Sequence, residues 1–300
     1  MMKRLSGLVA ATFTPFRSDD SLDLDKVPML VDFAVRQKLA GLFAVGSTGE
    51  FTALTLEERR LTAEAYLKAA AGRIPIIVNV GSCSVRESIQ LAEHAVAHGA
   101  DALCTIAPFY QKPASVRALA EVLKAIAAAC DGRPLFLYHI PVLTGLRLSM
   151  RELLEIAAAE IPNFAGLKYT DENLFEYCTC LDYSDRFQIL YGRDEMLLGA
   201  LAMGAEAAVG STYNYLPRLY HEMIAAFRGG DHRRAHELQA LTHASVRLLG
   251  KYGPQSSKLF MKAAGLEIGF ARLPALRLPR EQGNAFYRDV EAAGLLPWLG

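Results

Sequence analysis

An eightfold alternation constrains this chain more than any other feature: a short apolar run, a longer stretch with helical spacing, then the next run. The apolar runs occupy 7–13 (GLVAATF), 42–45, 74–80 (IPIIVNV), 102–107, 135–140 (LFLYHI), 164–169 (FAGLKY), 187–191 and 207–211. Helical patterns follow at 25–39, 55–72, 84–99, 115–130, from 149, at 173–181, at 195–203 and from 216 onward. Three of them open on a Ser/Thr-x-x-Glu box: Thr55 with Glu58, Ser84 with Glu87, and Ser149 with Glu152. In such a box each side chain satisfies a free N–H at the helix start. Strands regularly separated by helices pair in parallel, because a parallel connection needs a crossover. Eight such units predict closure into a (β/α)8 TIM barrel. An open doubly wound sheet is the alternative, but no G-x-G-x-x-G follows the first run, which disfavours dinucleotide binding there.

The chain has 300 residues, and a barrel of this kind takes about 250. We therefore expect one domain, with the barrel over 1–230 and a helical extension over 231–300 packed against it. Breaks at Gly229-Gly230, Gly253-Pro254 and Pro279 divide that extension into about three helices, and no Pro/Ser-rich linker sets it apart.

Charge excludes some partners. Lys plus Arg and Asp plus Glu are both 32, so no strong field draws nucleic acid or an anionic membrane. The first residues turn polar too soon for a signal peptide, and no apolar run approaches the ~20 residues that span a bilayer. These features lead us to expect a cytoplasmic protein. The five cysteines are odd in number and lack zinc spacing, so reduced thiols are expected. His94/His98 and His232/His236 are spaced i, i+4 within predicted helices, and no H-E-x-x-H occurs. We read both pairs as solvated helix faces and expect no metal and no organic cofactor.

In a barrel, chemistry gathers where strands end. Those ends carry Ser47 and Thr48 after the second run, Tyr138-His139 on the fifth, and Lys168, Tyr169 and Thr170 on the sixth. Gly192, Asp194 and Glu195 follow the seventh run, and Ser211 ends the eighth. Lys168 closes an apolar strand, where an ammonium is costly to bury. A lysine amine attacks ketones only when neutral, and apolar or cationic surroundings favour that form. Tyr138 reads either as a core aromatic with its hydroxyl at the rim or as a proton carrier. His139 should point to the other face of its strand and pack there. The turn Gly46-Ser47-Thr48-Gly49 offers N–H groups and hydroxyls to a carboxylate. Asp194 and Glu195 read either as helix-start acids or as ligand acceptors.

Taken together, G-S-T-G-E at 46–50, P-F-Y at 108–110, Y-H-I-P at 138–141, G-L-K-Y-T at 166–170 and G-S-T-Y-N at 210–214 resemble the dihydrodipicolinate synthase / N-acetylneuraminate lyase family of pyruvate-dependent class I aldolases. The resemblance implies a Schiff base at Lys168, a catalytic tyrosine at Tyr138, and Ser47 and Thr48 as holders of a pyruvyl carboxylate. It also implies a homotetramer, with Tyr110 supporting the site across a subunit contact. The dicarboxylate branch typically carries Arg two residues after the Y-x-x-P proline, where this chain has Leu143. Y-H-I-P-x-L-T-G and G-x-D-E at 192–195 look like the sialic-acid branch instead. There, Thr170, Gly192, Asp194, Glu195 and Ser211 match residues that bind sugar hydroxyls.

Overall fold

A computed structural model describes residues 2–300. Eight parallel strands close into a barrel: β1 (Gly7–Ala11), β2 (Gly41–Ala44), β3 (Ile76–Asn79), β4 (Ala102–Ile106), β5 (Leu135–His139), β6 (Phe164–Tyr169), β7 (Gln188–Tyr191) and β8 (Ala207–Gly210). Closure is direct, since β1 pairs with β8 from Gly7↔Ala207 to Ala10↔Gly210. Most of the strands are buried at every residue. They lie between the packed interior and a ring of helices, which is why they read as unbroken apolar runs.

The helices are α1 (Val27–Arg36), α2 (Leu56–Ala70), α3 (Val85–Ala97), α4 (Val116–Ala128), α5 (Pro141–Thr144), α6 (Met150–Glu160), α7 (Leu174–Leu181), α8 (Leu197–Ala202) and α9 (Pro217–Arg228). The extension adds α10 (His232–Tyr252), α11 (Ser257–Ala263) and α12 (Arg280–Ala292). The helix expected over 25–39 begins as a 3₁₀ turn and becomes α-helical only at Val27, with a proline in its first turn. Helix α5 was not expected. Pro141 starts it and a left-handed Gly145 ends it after one turn. Of the three capping boxes, only Thr55/Glu58 closes in both directions. Ser84 and Ser149 cap their helices, but the Glu87 carboxylate accepts from Ser82 instead.

The extension is tied to the barrel at several levels. Gln239 on α10 accepts from Leu198 N (2.9 Å), and His243 Nε2 meets Glu195 O (2.8 Å). On α11, Phe260 stacks on Tyr215, between β8 and α9 (4.7 Å between ring centres), and Phe286 of α12 packs on Phe260 in turn (4.8 Å). No described helix is long and apolar enough to cross a membrane.

Candidate active site

Alternation along β5 and β6 sorts their side chains into two sets. Tyr138 and Lys168 are register partners, as are His139 and Tyr169. The first pair shares one face and the second the other. Lys168 is buried, with 4% of its surface exposed. Its Nζ stands 3.8 Å from the ring centre of Tyr138 and 4.1 Å from that of Phe43 on β2. Those two rings meet edge to face at 5.7 Å. On the opposite face, His139 packs against Tyr169 (5.2 Å). Burial holds the His139 imidazole down near pKa 4, so it is neutral at neutral pH. It was expected to pack, and it does, but its Nε2 has no hydrogen-bond partner among the described residues.

The Ser47-Thr48 turn is built directly over this pair. Gly46 lies on the ring of Phe43 so closely that a Cβ there would overlap it. Ser47 Oγ reaches Tyr138 Oη at 3.4 Å. The turn is flanked by two non-glycine residues with left-handed backbones, Val45 (φ 57°) and Glu50 (φ 56°). A β-branched residue in that region is strained, and such strain persists only where surroundings enforce it, at a cost of roughly 1–3 kcal/mol per residue. The enforcing contacts are present. Asn79 Nδ2 donates to Val45 O (2.8 Å), and Thr14 Oγ1 donates to Gly49 O (2.7 Å).

Glu50 is fixed from the extension. Its carboxylate accepts from Lys258 Nζ (2.8 Å) and from Arg272 N (2.8 Å). Lys258 also donates to Thr14 O (2.9 Å) and Phe270 O (3.0 Å), so all three ammonium protons are used. Burial pulls this ammonium below the ordinary lysine value, and the Glu50 charge opposes that pull. Between the turn, Ser211 and the extension lies a cavity of about 290 Å³, with Ser47, Thr48 and Ser211 on the barrel side and Gln255 and Lys258 on the other. Lys168 does not line it; its amine sits between the two rings.

The acids after β7 do not cap a helix. The 3₁₀ turn at 194–196 and α8 have no side-chain cap. Asp194 instead crosses to the end of β8, where its Oδ2 accepts from Thr212 N (2.8 Å) and Thr212 Oγ1 (2.6 Å). Burial pushes its carboxyl up to about 6, against the pull of the Thr212 hydrogen bonds. Glu195 pairs with Arg193 (3.4 Å), which also pairs with Glu172. Gly192 donates to Tyr169 O (2.7 Å), and a Cβ at Gly192 would collide with the Thr170 hydroxyl. That hydroxyl is buried without a hydrogen-bond partner among the described residues.

The family model described as the dihydrodipicolinate synthetase family matches residues 4–293. The chain belongs to that family. It is 40% identical to an N-acetylneuraminate lyase of Xenopus tropicalis over 91% of both chains. It is 37% identical to that of Homo sapiens, over 93% of this chain and 89% of the other. A Proteus mirabilis N-acetylneuraminate lyase structure superposes with a TM-score of 0.95 at 32% identity, covering 98% of this chain and all of that one. An Aquifex aeolicus dihydrodipicolinate synthase gives 0.88 at 29% identity over 97% and 98%.

Within this family member, Lys168, Tyr138, Ser47 and Thr48 form one contiguous group. Thr170 and Gly192 meet, Asp194 lies against Gly210 and Thr212, and Ser211 borders the cavity. Tyr110 stands apart, 86% exposed, as do Phe175, Val142 and Leu143. Sequence reasoning missed Phe43, Lys258 and Arg272, and it placed Thr212 in a matched motif without giving it a partner. Phe43 lies just before a matched motif and Thr212 within one, but only the folded barrel brings their side chains against Lys168 and Asp194. His94 was expected on a solvated face. It is half-buried, with Nε2 2.8 Å from Glu64.

Proposed function

We propose that the chain is a Schiff-base aldolase that cleaves N-acetylneuraminate reversibly to N-acetylmannosamine and pyruvate. The observation that carries this reading is the Lys168 amine held between the rings of Phe43 and Tyr138, with the Tyr138 hydroxyl next to Ser47. The amine adds to the C2 ketone of the open-chain sugar acid and water leaves, forming a cationic imine. Two ring faces suit that cation. Ser47 and Thr48 donate to the neighbouring carboxylate. Tyr138 takes the C4 hydroxyl proton and passes its own toward Ser47 and that carboxylate. The C3–C4 electron pair moves into the imine, giving an enamine and the free aldehyde sugar. Protonation at C3 and addition of water then release pyruvate and the amine. The imine itself is the electron sink, so the chemistry asks for no further cofactor.

The sugar end falls to Thr170, Gly192, Asp194, Glu195 and Ser211. The partnerless Thr170 hydroxyl and the acidic pair suit a polyhydroxyl chain, since carboxylates accept from hydroxyls. Leu143, where the dicarboxylate branch carries Arg, favours the sugar acid over a dicarboxylate product. We further propose a homotetramer in which the exposed Tyr110 is covered by a neighbouring subunit, to be checked by native mass spectrometry. Borohydride reduction in the presence of pyruvate, followed by peptide mapping, tests the chemistry. The expected result is a single adduct on Lys168, and no adduct there removes the proposal. Comparing kcat/KM for N-acetylneuraminate and 2-keto-3-deoxygluconate tests the substrate, and a preference for the latter would move the assignment within the family.

A further inference from the structure

On the outer wall of the barrel, α2 and α3 bring three metal-binding side chains together. Nε2 of His94 lies 2.8 Å, and Nε2 of His98 3.6 Å, from Oε1 of Glu64. All three donor atoms lie within 4.8 Å of one another. Zinc bonds to imidazole and carboxylate of about 2.0–2.1 Å at tetrahedral angles put neighbouring ligand atoms about 3.3 Å apart. The two observed separations bracket that value.

The arrangement is also oriented. His98 Nδ1 lies 2.8 Å from His94 O, and a carbonyl only accepts, so Nδ1 carries the proton. In the neutral ring the lone pair then sits on Nε2, the atom turned toward Glu64. A ring nitrogen fixed by a backbone carbonyl is the usual support of a metal-bound histidine. His98 is the C-cap of α3, where unpaired carbonyls favour a cation. Imidazole and carboxylate donors without thiolate suit a divalent first-row ion, zinc in particular.

We propose that Glu64, His94 and His98 form a zinc-type divalent cation site that ties α2 to α3, with water completing the coordination. Binding needs only a tautomer change at His94, whose Nε2 proton moves to Nδ1. Helices run antiparallel to the strands in a barrel, so the C-terminal end of α3 lies away from the mouth. The site is therefore separate from the Lys168 chemistry.

The test is equilibrium dialysis of the full-length protein against Zn²⁺, with Co²⁺ as a spectroscopic probe. We expect one ion per chain, a visible cobalt band without thiolate charge transfer, and a zinc-dependent rise in the thermal midpoint. His94→Ala and His98→Ala should each abolish the binding and the rise. His98 is exposed, so His98→Ala should keep wild-type circular dichroism and pyruvate trapping, which separates this proposal from the aldolase reading. Cys83→Ser and Cys178→Ser should leave binding unchanged. No zinc uptake, uptake that survives both histidine substitutions, or uptake lost only with a cysteine would each overturn the proposal.

Discussion

Lys168 and Tyr138 face each other across adjacent parallel strands, with the amine 3.8 Å from the centre of the phenol ring. The ring and the hydroxyl of Tyr138 therefore do different things. Tyr138→Phe keeps the ring and removes the hydroxyl proposed to carry the proton. Borohydride trapping with pyruvate should persist, while kcat for cleavage falls roughly 10²–10⁴-fold. Lys168→Arg keeps a charge yet should lose trapping and turnover together. A Tyr138→Phe enzyme with wild-type kcat would remove the proton-carrier role.

Phe43 offers the second ring face. Phe43→Leu preserves apolar volume but not the quadrupole that suits a cationic imine. A loss of about 1 kcal/mol of cation–π stabilisation corresponds to about a fivefold fall in imine formation. The check is the pyruvate concentration needed for half-maximal trapping.

Glycines on the sugar side should separate binding from chemistry. A Cβ at Gly210 would overlap the carboxylate of Asp194. Gly210→Ala should displace that acid, cost about 1–3 kcal/mol of stability, and raise KM for the sugar acid about tenfold or more. Pyruvate trapping should be unchanged, and steady-state kinetics with parallel trapping reads both.

Asp194 gives a pH dependence whose sign is fixed. Its folded pKa, about 6, lies above its ordinary 3.8 because of burial. Between those values the folded state holds a proton that the unfolded chain has lost. The contribution of this group to stability is therefore full below about pH 4 and lost as pH rises through 6. A difference of about two pH units corresponds to about 3 kcal/mol. Asp194→Asn cannot ionise, so its stability relative to wild type should rise by about that amount between pH 4 and pH 7. Urea unfolding at both values measures it.

Glu58 runs the other way. Arg272 grips it through two hydrogen bonds of 2.6 and 2.8 Å, and that grip lowers its carboxyl to about 2. Its contribution is present above about pH 4.5 and lost as pH falls toward 2. Both side chains retain some exposure, so screening limits the effect to about 1 kcal/mol. Glu58→Gln should flatten the acid limb of the stability curve by that amount.

The barrel was legible because each buried strand is an apolar run and several helices carry their own start signal, both local properties. Lys168 was legible because it lies at the end of such a run, and Tyr138 because it lies at the end of the run before it. Strand parity separated His139 from them correctly. What escaped was contact between distant segments. Nothing near Asp194 announces that Thr212 will hold it, and the local reading of an acid at a helix start pointed to a cap. Nothing near Lys258 announces Glu50. His94 and His98 were visible as a pair, but Glu64 lies on another helix, so the pair alone looked solvated.

The bond between Lys258 and Glu50 has a consequence for synthesis. All eight strands leave the ribosome before residue 258 does. A nascent chain can close its barrel, β1 to β8, while the Ser47-Thr48 turn still lacks the ammonium and the Arg272 amide that hold Glu50 in its left-handed backbone. Closure of the barrel and locking of that turn are thus separable, and the second waits for residues 258 and 272.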